Sequence, residues 1–252
     1  MGAGALRRLL LGEGARLTAV VTEVEVVDLA TTSLRELNQR LHNLAGDDPL
    51  LRRWRIINPS GAHAVACGLD APLEVEIAGH VGYYCAGMNK QANVHVRGNA
   101  GTGLAENIMS GTVVVDGNAS QSAGATGRGG LVVIHGNAAA RCGISMKGVD
   151  IVVGGSIGHM SAFMAQRGSL VVCGDAGDAL GDSIYEAHIY VRGNVAGLGA
   201  DCIEKELRDN HEAELRSLLD RAGYTAIDAS EFRRYGSARQ LYNFKIDNAG
   251  AY

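Results

Sequence analysis

From residue 73 to residue 196 the apolar positions recur with one fixed period. Laid in rows, the chain reads LEVEIAGHVG, ANVHVRGNAG, GTVVVDGNAS, GLVVIHGNAA, VDIVVGGSIG, GSLVVCGDAG and AHIYVRGNVA. A glycine closes each apolar run, at Gly79, Gly98, Gly117, Gly136, Gly155, Gly174 and Gly193, and every step is 19 residues without insertion or deletion. Four residues before the glycine stand Val75, Val94, Val113, Val132, Ile151, Leu170 and Ile189; two before it stand Ile77, Val96, Val115, Ile134, Val153, Val172 and Val191. Two aliphatic columns two residues apart lie on one face of a strand. Each row therefore predicts a strand of about five residues with its apolar face turned inward. A helix is excluded, because short apolar runs that end in Gly-Asn cannot continue one.

A constant period of this size marks a solenoid. Nineteen residues suffice for one flattened coil of short strands, and stacked coils pair in parallel about 4.8 Å apart. The pattern predicts a parallel β-helix of seven regular coils. An 18-residue left-handed coil of three equal sixes does not fit a period of 19 with one strong strand. After the glycine comes Asn99, Asn118, Asn137, Asn194, Asp175, His80 or Ser156, which predicts a sharp corner tolerant of positive φ. Seven residues after the glycine only Gly or Ala stands: Ala86, Ala105, Gly124, Gly143, Ala162, Gly181 and Ala200. That column is expected to face a crowded interior. Three residues before the glycine the side chains point outward, and the column reads Glu76, His95, Val114, Val133, Val152, Val171 and Tyr190. Four successive valines on an outer face predict a covered strip. The cover is either the chain's own N-terminal helix or aromatic tail, or a partner subunit, which makes Val114, Val133, Val152 and Val171 candidate interface residues.

The flanks lack the period and divide the chain into 1–53, 54–200 and 201–252. Residues 1–16 read as loose. Residues 17–29 alternate as a strand, and 33–45 read as a helix with Leu34, Leu37, Leu41 and Leu44 on one stripe and a Ser33/Glu36 capping signature. Residues 54–72 resemble a degenerate first coil, with Ile56 placed 19 residues before Val75. Residues 202–223 predict a helix covering the open solenoid end. The tail carries Tyr224, Phe232, Tyr235, Tyr242, Phe244 and Tyr252, an arm suited to docking on the coil or on a partner.

Composition narrows the function. A net charge of −4 gives no reason to expect nucleic acid or an anionic membrane, and no apolar run reaches the roughly 18 residues of a membrane span. A cytoplasmic location is expected. Glycine at 35 residues against 3 prolines suits tight coils. Cys67, Cys85, Cys142, Cys173 and Cys202 form no C-x-x-C pair and are expected to be free thiols. Gly101-Thr102-Gly103 lacks the third glycine of a dinucleotide fingerprint. Asp175 and Asp178 do not repeat as a calcium roll requires, and His95 and His135 are out of register. Glu106 and Asn107 near Lys90 read as a solvated corner. No nucleophile–base pair, cofactor motif or metal-ligand set stands out.

The spacing Gly174-x-x-Gly177-x-x-x-Gly181 is G-x-x-G-x-x-x-G; Gly79/Gly82, Gly98/Gly101, Gly117/Gly124, Gly136/Gly143 and Gly155/Gly158 each keep part of it. This resembles the GXGXG domain that ends the large subunit of glutamate synthase, over residues 54–200. The stretches 58–72, 79–92, 101–111 and 141–148 are also similar to the free-standing GXGXG subunit of N-methylglutamate synthase. The resemblance implies an all-β fold, a right-handed parallel β-helix, and a scaffold without active-site residues. It further implies a hetero-oligomer with an amidotransferase-like subunit and an FMN-binding barrel subunit that carries iron–sulfur clusters, and no cofactor on this chain. The same domain type serves formylmethanofuran dehydrogenase, so that complex, or a glutamate synthase using ammonia, is the alternative. A stand-alone enzyme on a β-helix would need carboxylates or bases clustered on one outer face, which the columns do not show.

Overall fold

The structure, a computed structural model, describes residues 24–43 and 53–239. The expectations for residues 1–23 and for Leu44, Tyr242, Phe244 and Tyr252 lie outside it. The elements run β1 Val24–Asp28, α1 Leu34–His42, β2 Arg53–Ile57, β3 Glu74–Ala78, β4 Asn93–Val96, β5 Thr112–Val115, β6 Leu131–Ile134, β7 Asp150–Val153, β8 Ser169–Val172, β9 His188–Val191, β10 Cys202–Lys205, α2 Asp209–Arg221 and β11 Arg233–Ser237. All eleven strands join one sheet, in the order β1 to β9 followed by β11 and β10. Pairing is parallel from β1 to β9, and β3 through β9 stack with Val94 opposite Val113, Val132 opposite Ile151 and Leu170 opposite Ile189. This is the all-β parallel β-helix that the rows predict.

The two aliphatic columns point inward as expected, and every member is 2% exposed or less. The core holds further inward columns that alternation alone did not reveal. Two residues after the glycine, Val81, Ala100, Ala119, Ala138, Ile157, Ala176 and Val195 form a second narrow parallel ladder. Four residues later Cys85, Leu104, Ala123, Cys142 and Leu180 are buried. These positions lie in turns, so no strand period announces them.

The glycines act differently from the corner expectation. Asn99, Asn118 and Asn137 are absent from the positive-φ residues. Their side chains instead climb the solenoid as a ladder. Asn99 Oδ1 accepts from Asn118 N at 2.7 Å, Asn118 Oδ1 from Asn137 N at 2.8 Å, and Asn137 Oδ1 from Ser156 N at 2.8 Å. Ser156 Oγ and Asp175 Oδ1 continue it to Asp175 N and Asn194 N. Each ladder oxygen lies where the next coil's glycine would carry a Cβ, at 2.2 Å for Gly117 and 2.4 Å for Gly136. The Gly-Asn pair is thus a close-approach device.

The left-handed residues fall elsewhere. Tyr84, Ala86 and Met88 have φ of 59°, 52° and 56°, and the same three positions recur coil after coil. The outer two accept any side chain, because it points away. The middle one is the Gly/Ala column, where a Cβ on Gly124 would stand 2.5 Å from Ile151 Cδ1. The Gly/Ala column announces the crowding but not the positive φ that accompanies it.

Both ends are capped; the degenerate first coil is present in a different register, and the far end is closed by a strand pair in place of the predicted helix. At the start, β2 pairs Trp54 with Val75 and Ile56 with Ile77, so the first coil spans 21 residues and its inner column is intact. The 19-residue placement of Ile56 was therefore out by two residues. Helix α1, capped by Ser33 Oγ accepting from Glu36 N at 3.2 Å, lays Leu37 and Leu41 on the core end. Its Asn38 accepts from Ala66 N at 3.0 Å and donates to Ala64 O at 2.8 Å, standing in for a missing coil. At the other end residues 202–205 are strand, not helix. β11 pairs antiparallel with both β9 and β10 and closes the stack. Helix α2 is shorter than predicted and lies along the side of the solenoid instead of over its end.

Candidate functional site

The outer face of the sheet is the surface the sequence singles out, and the fold divides it in two. On the later coils Val133, Val152, Val171 and Tyr190 pack against Leu215, Leu218 and Leu219 of α2 and its C-cap Ala222, with Ala229 and Phe232 of the following turn. The three valines are 2%, 0% and 0% exposed. Their cover is the chain's own C-terminal segment, α2 together with Phe232 and Tyr224 of the aromatic arm, and not the N-terminal helix, so self-coverage accounts for these three valines. Val114 sits half-buried at the margin. Of the tail aromatics within the described residues, Tyr224, Phe232 and Tyr235 dock back on the coils.

Helix α2 is held by one carboxylate. Glu214 accepts from Ser169 Oγ at 2.6 Å, Tyr190 Oη at 2.7 Å and His188 Nδ1 at 2.9 Å. Partial burial pushes its carboxyl up, but the His188, Ser169 and Tyr190 donors outweigh this and bring it to about 2. Burial raises Asp150 on β7, which stands 3.7 Å from Arg221 at the end of α2. The helix end is fixed by Tyr224 Oη, 2.8 Å from His135 Nδ1. A Cβ on Gly154 would meet that hydroxyl at 2.1 Å, which explains a glycine the repeat does not require. A cleft lined by Asp150, Arg167, Glu186, His188 and Glu214 borders the latch. Its chemistry is not that of a nucleophile triad. There the imidazole lies between hydroxyl and carboxylate; here Glu214 lies between Ser169 and His188, so the hydroxyl faces a carboxylate held at about 2, too weak a base to activate it.

On the earlier coils the same face is open. A groove of ≈ 590 Å³ is lined by Arg53, Arg55, Glu76, His95, Arg97 and Val114, among others. Its charges interlock across coils. Arg55 lies 3.4 Å from Glu76, Arg97 bridges Glu76 at 3.2 Å and Asp116 at 3.4 Å, and His95 Nε2 is 2.6 Å from Asp116. Opposite charges on neighbouring strands stabilise an uncovered sheet face. Slight burial works against Asp116, but His95 and Arg97 hold its carboxyl below the usual range. Among the described residues no hydroxyl or thiol is hydrogen-bonded to His95, and no group of three or more His, Cys, Asp or Glu could hold a metal.

The motif glycines are spread along the solenoid and converge on no pocket. Gly98, Gly117, Gly136, Gly155, Gly174 and Gly193 clear the preceding coil's backbone and ladder; Gly82, Gly101, Gly158 and Gly177 clear a backbone or ring; Gly124, Gly143 and Gly181 are left-handed, and Gly79 has φ of 149°. All five cysteines are free, and burial pushes the Cys85 and Cys142 thiols up to about 12, too high for nucleophiles at neutral pH. Among the described residues no helix is long and apolar enough to cross a membrane.

No family model matches the chain. A protein of Rhizobium meliloti (strain 1021) called protein GlxC is 64% identical over 228 residues, which cover 90% of this chain and 99% of that one. Identity at that level leaves no room for a different coil architecture. Together with the repeat glycines in their close-approach positions, it makes this chain a member of the GlxC family of GXGXG β-helix proteins.

Proposed function

We infer that the chain is a non-catalytic scaffold subunit of a glutamate-synthase-like complex in the cytoplasm, an N-methylglutamate synthase. In this reading it holds an amidotransferase-like subunit and an FMN-binding, iron–sulfur barrel subunit in register, so that an amine passes between their sites. The observation that carries it is the extent of the GlxC identity over a chain whose GXGXG repeat builds one continuous sheet. The physical support is rigidity without chemistry. Every coil is tied to the next by strand, turn and side-chain ladders, and the polar clusters that exist serve to seat α2 or to neutralise a sheet face.

The test is to purify the tagged chain from its own cells and, separately, alone. The complex is expected to carry flavin absorbance and to transfer methylamine onto glutamate; the isolated chain is expected to be colourless, folded and inactive. Stoichiometric flavin or turnover on the isolated chain would overturn the reading. A complex with a pterin-bound metal would reassign it to a formylmethanofuran dehydrogenase, and one using ammonia alone to a glutamate synthase.

A further inference from the structure

The inward columns of the turn side stay buried up the solenoid until the last coil, where both end on open apolar residues. From Val81 to Ala176 every rung of the narrow ladder is 6% exposed or less. The next rung, Val195, pairs with Ala176 yet is only half-buried. The second column behaves alike. Cys85, Leu104, Ala123, Cys142 and Leu180 are buried, but Leu198, bridged to Leu180, is 41% exposed. The backbone is open at the same place. Ile157 N donates to Asp175 O and Ala176 N to Asn194 O, each at 2.8 Å and each to the following coil. Val195 has no following coil. On the strand side of the same coil β11 lies beside β9, and Ile189 and Val191 are fully buried. Among the described residues the last coil is thus closed on one side and open on the other.

The chain itself leads to the open side. β11 runs against the coil beneath it, with Arg233 opposite Val191 and Tyr235 opposite Ile189. Past β11 it stays on the last coil. Ala238 N donates to Asp201 O at 2.7 Å, and Arg239 reaches the Asp201 carboxylate at 2.6 Å while lying 5.7 Å from the Tyr185 ring centroid. Asp201 follows Leu198 by three residues and Val195 by six. A chain that keeps this antiparallel course meets Leu198 first and Val195 next. Residues 240–252, which lie outside the described residues, read QLYNFKIDNAGAY. Tyr242, Phe244 and Ile246 alternate with Asn243, Lys245 and Asp247, the period of a strand with one apolar face. At about 3.3 Å per residue those three apolar positions span roughly 13 Å, enough to cover Val195 and Leu198, which lie at most roughly 10 Å apart. An open apolar end with unpaired backbone invites another chain to stack on it, and a terminal cover prevents this.

We propose that residues 240–252 cap the open turn side of the last coil, with Tyr242, Phe244 and Ile246 laid across Leu198 and Val195. The cap belongs to the chain itself and is independent of the scaffold reading. The experiment compares hydrogen–deuterium exchange of the full chain, alone and dilute, with that of a Y242S/F244S/I246S variant. In the wild type the amides of residues 195–198 are expected to exchange as slowly as those of residues 176–180 one coil below. In the variant they should exchange roughly tenfold faster, while exchange in β3 to β6 stays unchanged. Equal rates at residues 195–198 in the two proteins would overturn the proposal. Protection that the wild type shows only at high concentration would assign the cover to a second copy and refute it. Protection present only in the co-purified complex would assign the cover to a partner subunit, with the same consequence. If the variant fails to fold, a chain carrying Phe244→p-benzoylphenylalanine is irradiated instead. Cross-linking within one chain to residues 194–200 is expected; cross-links between chains, or to another coil, would overturn the cap.

Discussion

A methyl group on Gly155 would lie 2.1 Å from Asn137 Oδ1 and 2.9 Å from Gly136 O. The glycine column is thus dictated by the coil below, through the ladder oxygen first and the backbone second. Gly155→Ala should destabilise by about 2–3 kcal/mol, the scale of overpacking in a tight site. In an Asn137→Ala background the same change should cost about 1 kcal/mol less, because the nearer obstacle is gone. Denaturant melts of the four proteins measure this. Equal costs in both backgrounds would show that the ladder does not exclude the Cβ. Gly155 is not in the left-handed region, and the positions that are accept Tyr84 and Arg141 at φ of 59° and 61°, so backbone conformation does not select glycine here.

At the scale of elements, α2 is seated by three leucine side chains, and by Ala222 at its C-cap, on a stripe of valines and pinned by Glu214. The sign of its pH dependence follows from the latch. The folded carboxyl lies at about 2, below its ordinary 4.5. A depressed folded value means the contribution is complete above the unfolded value and is lost as pH falls through the folded one. Wild type and Glu214→Gln should therefore differ by a constant amount, about 1–2 kcal/mol, at pH 5 to 7. The difference should shrink steadily as pH falls from 4.5 toward 2. Chemical melts across that range decide, and a difference independent of pH would mean that Glu214 does not hold the helix as a carboxylate. The Val152 contact explains why a helix of modest length is stable here: tertiary burial of an amphipathic face supplies what propensity does not.

At the scale of the whole molecule, the stack is nearly one-dimensional, since each coil touches only its neighbours. Removing residues 99–117 joins Gly98 to Asn118 and restores every column, while the coils beneath α2 keep their seat. Such a shortened chain should fold cooperatively with parallel-sheet circular dichroism. Removing residues 99–116 instead shifts the later coils by one and turns their apolar columns outward. That variant should aggregate or fail to fold. If the two deletions behave alike, the stack is not held by column register. The ends differ in kind from the interior: Asn38 and the β10–β11 pair satisfy backbone groups that a further coil would otherwise take up.

The sequence by itself determined the solenoid. Seven glycines at a constant step force neighbouring coils into register, and two aliphatic columns can be buried only if every coil repeats the same path. It also marked the valine strip as covered and the Gly/Ala column as crowded. Only the tertiary structure decided what does the covering. The leucines of α1 and those of α2 are equally apolar, and nothing local distinguishes an end from a side; Asn38 meeting Ala64 and Ala66 sends one helix to the end, while Ser169, His188 and Tyr190 meeting Glu214 send the other to the side. The inward turn columns and the 21-residue first coil were hidden for the same reason. Their residues are ordinary alanines, cysteines and aliphatics until the coil below fixes which way each side chain points.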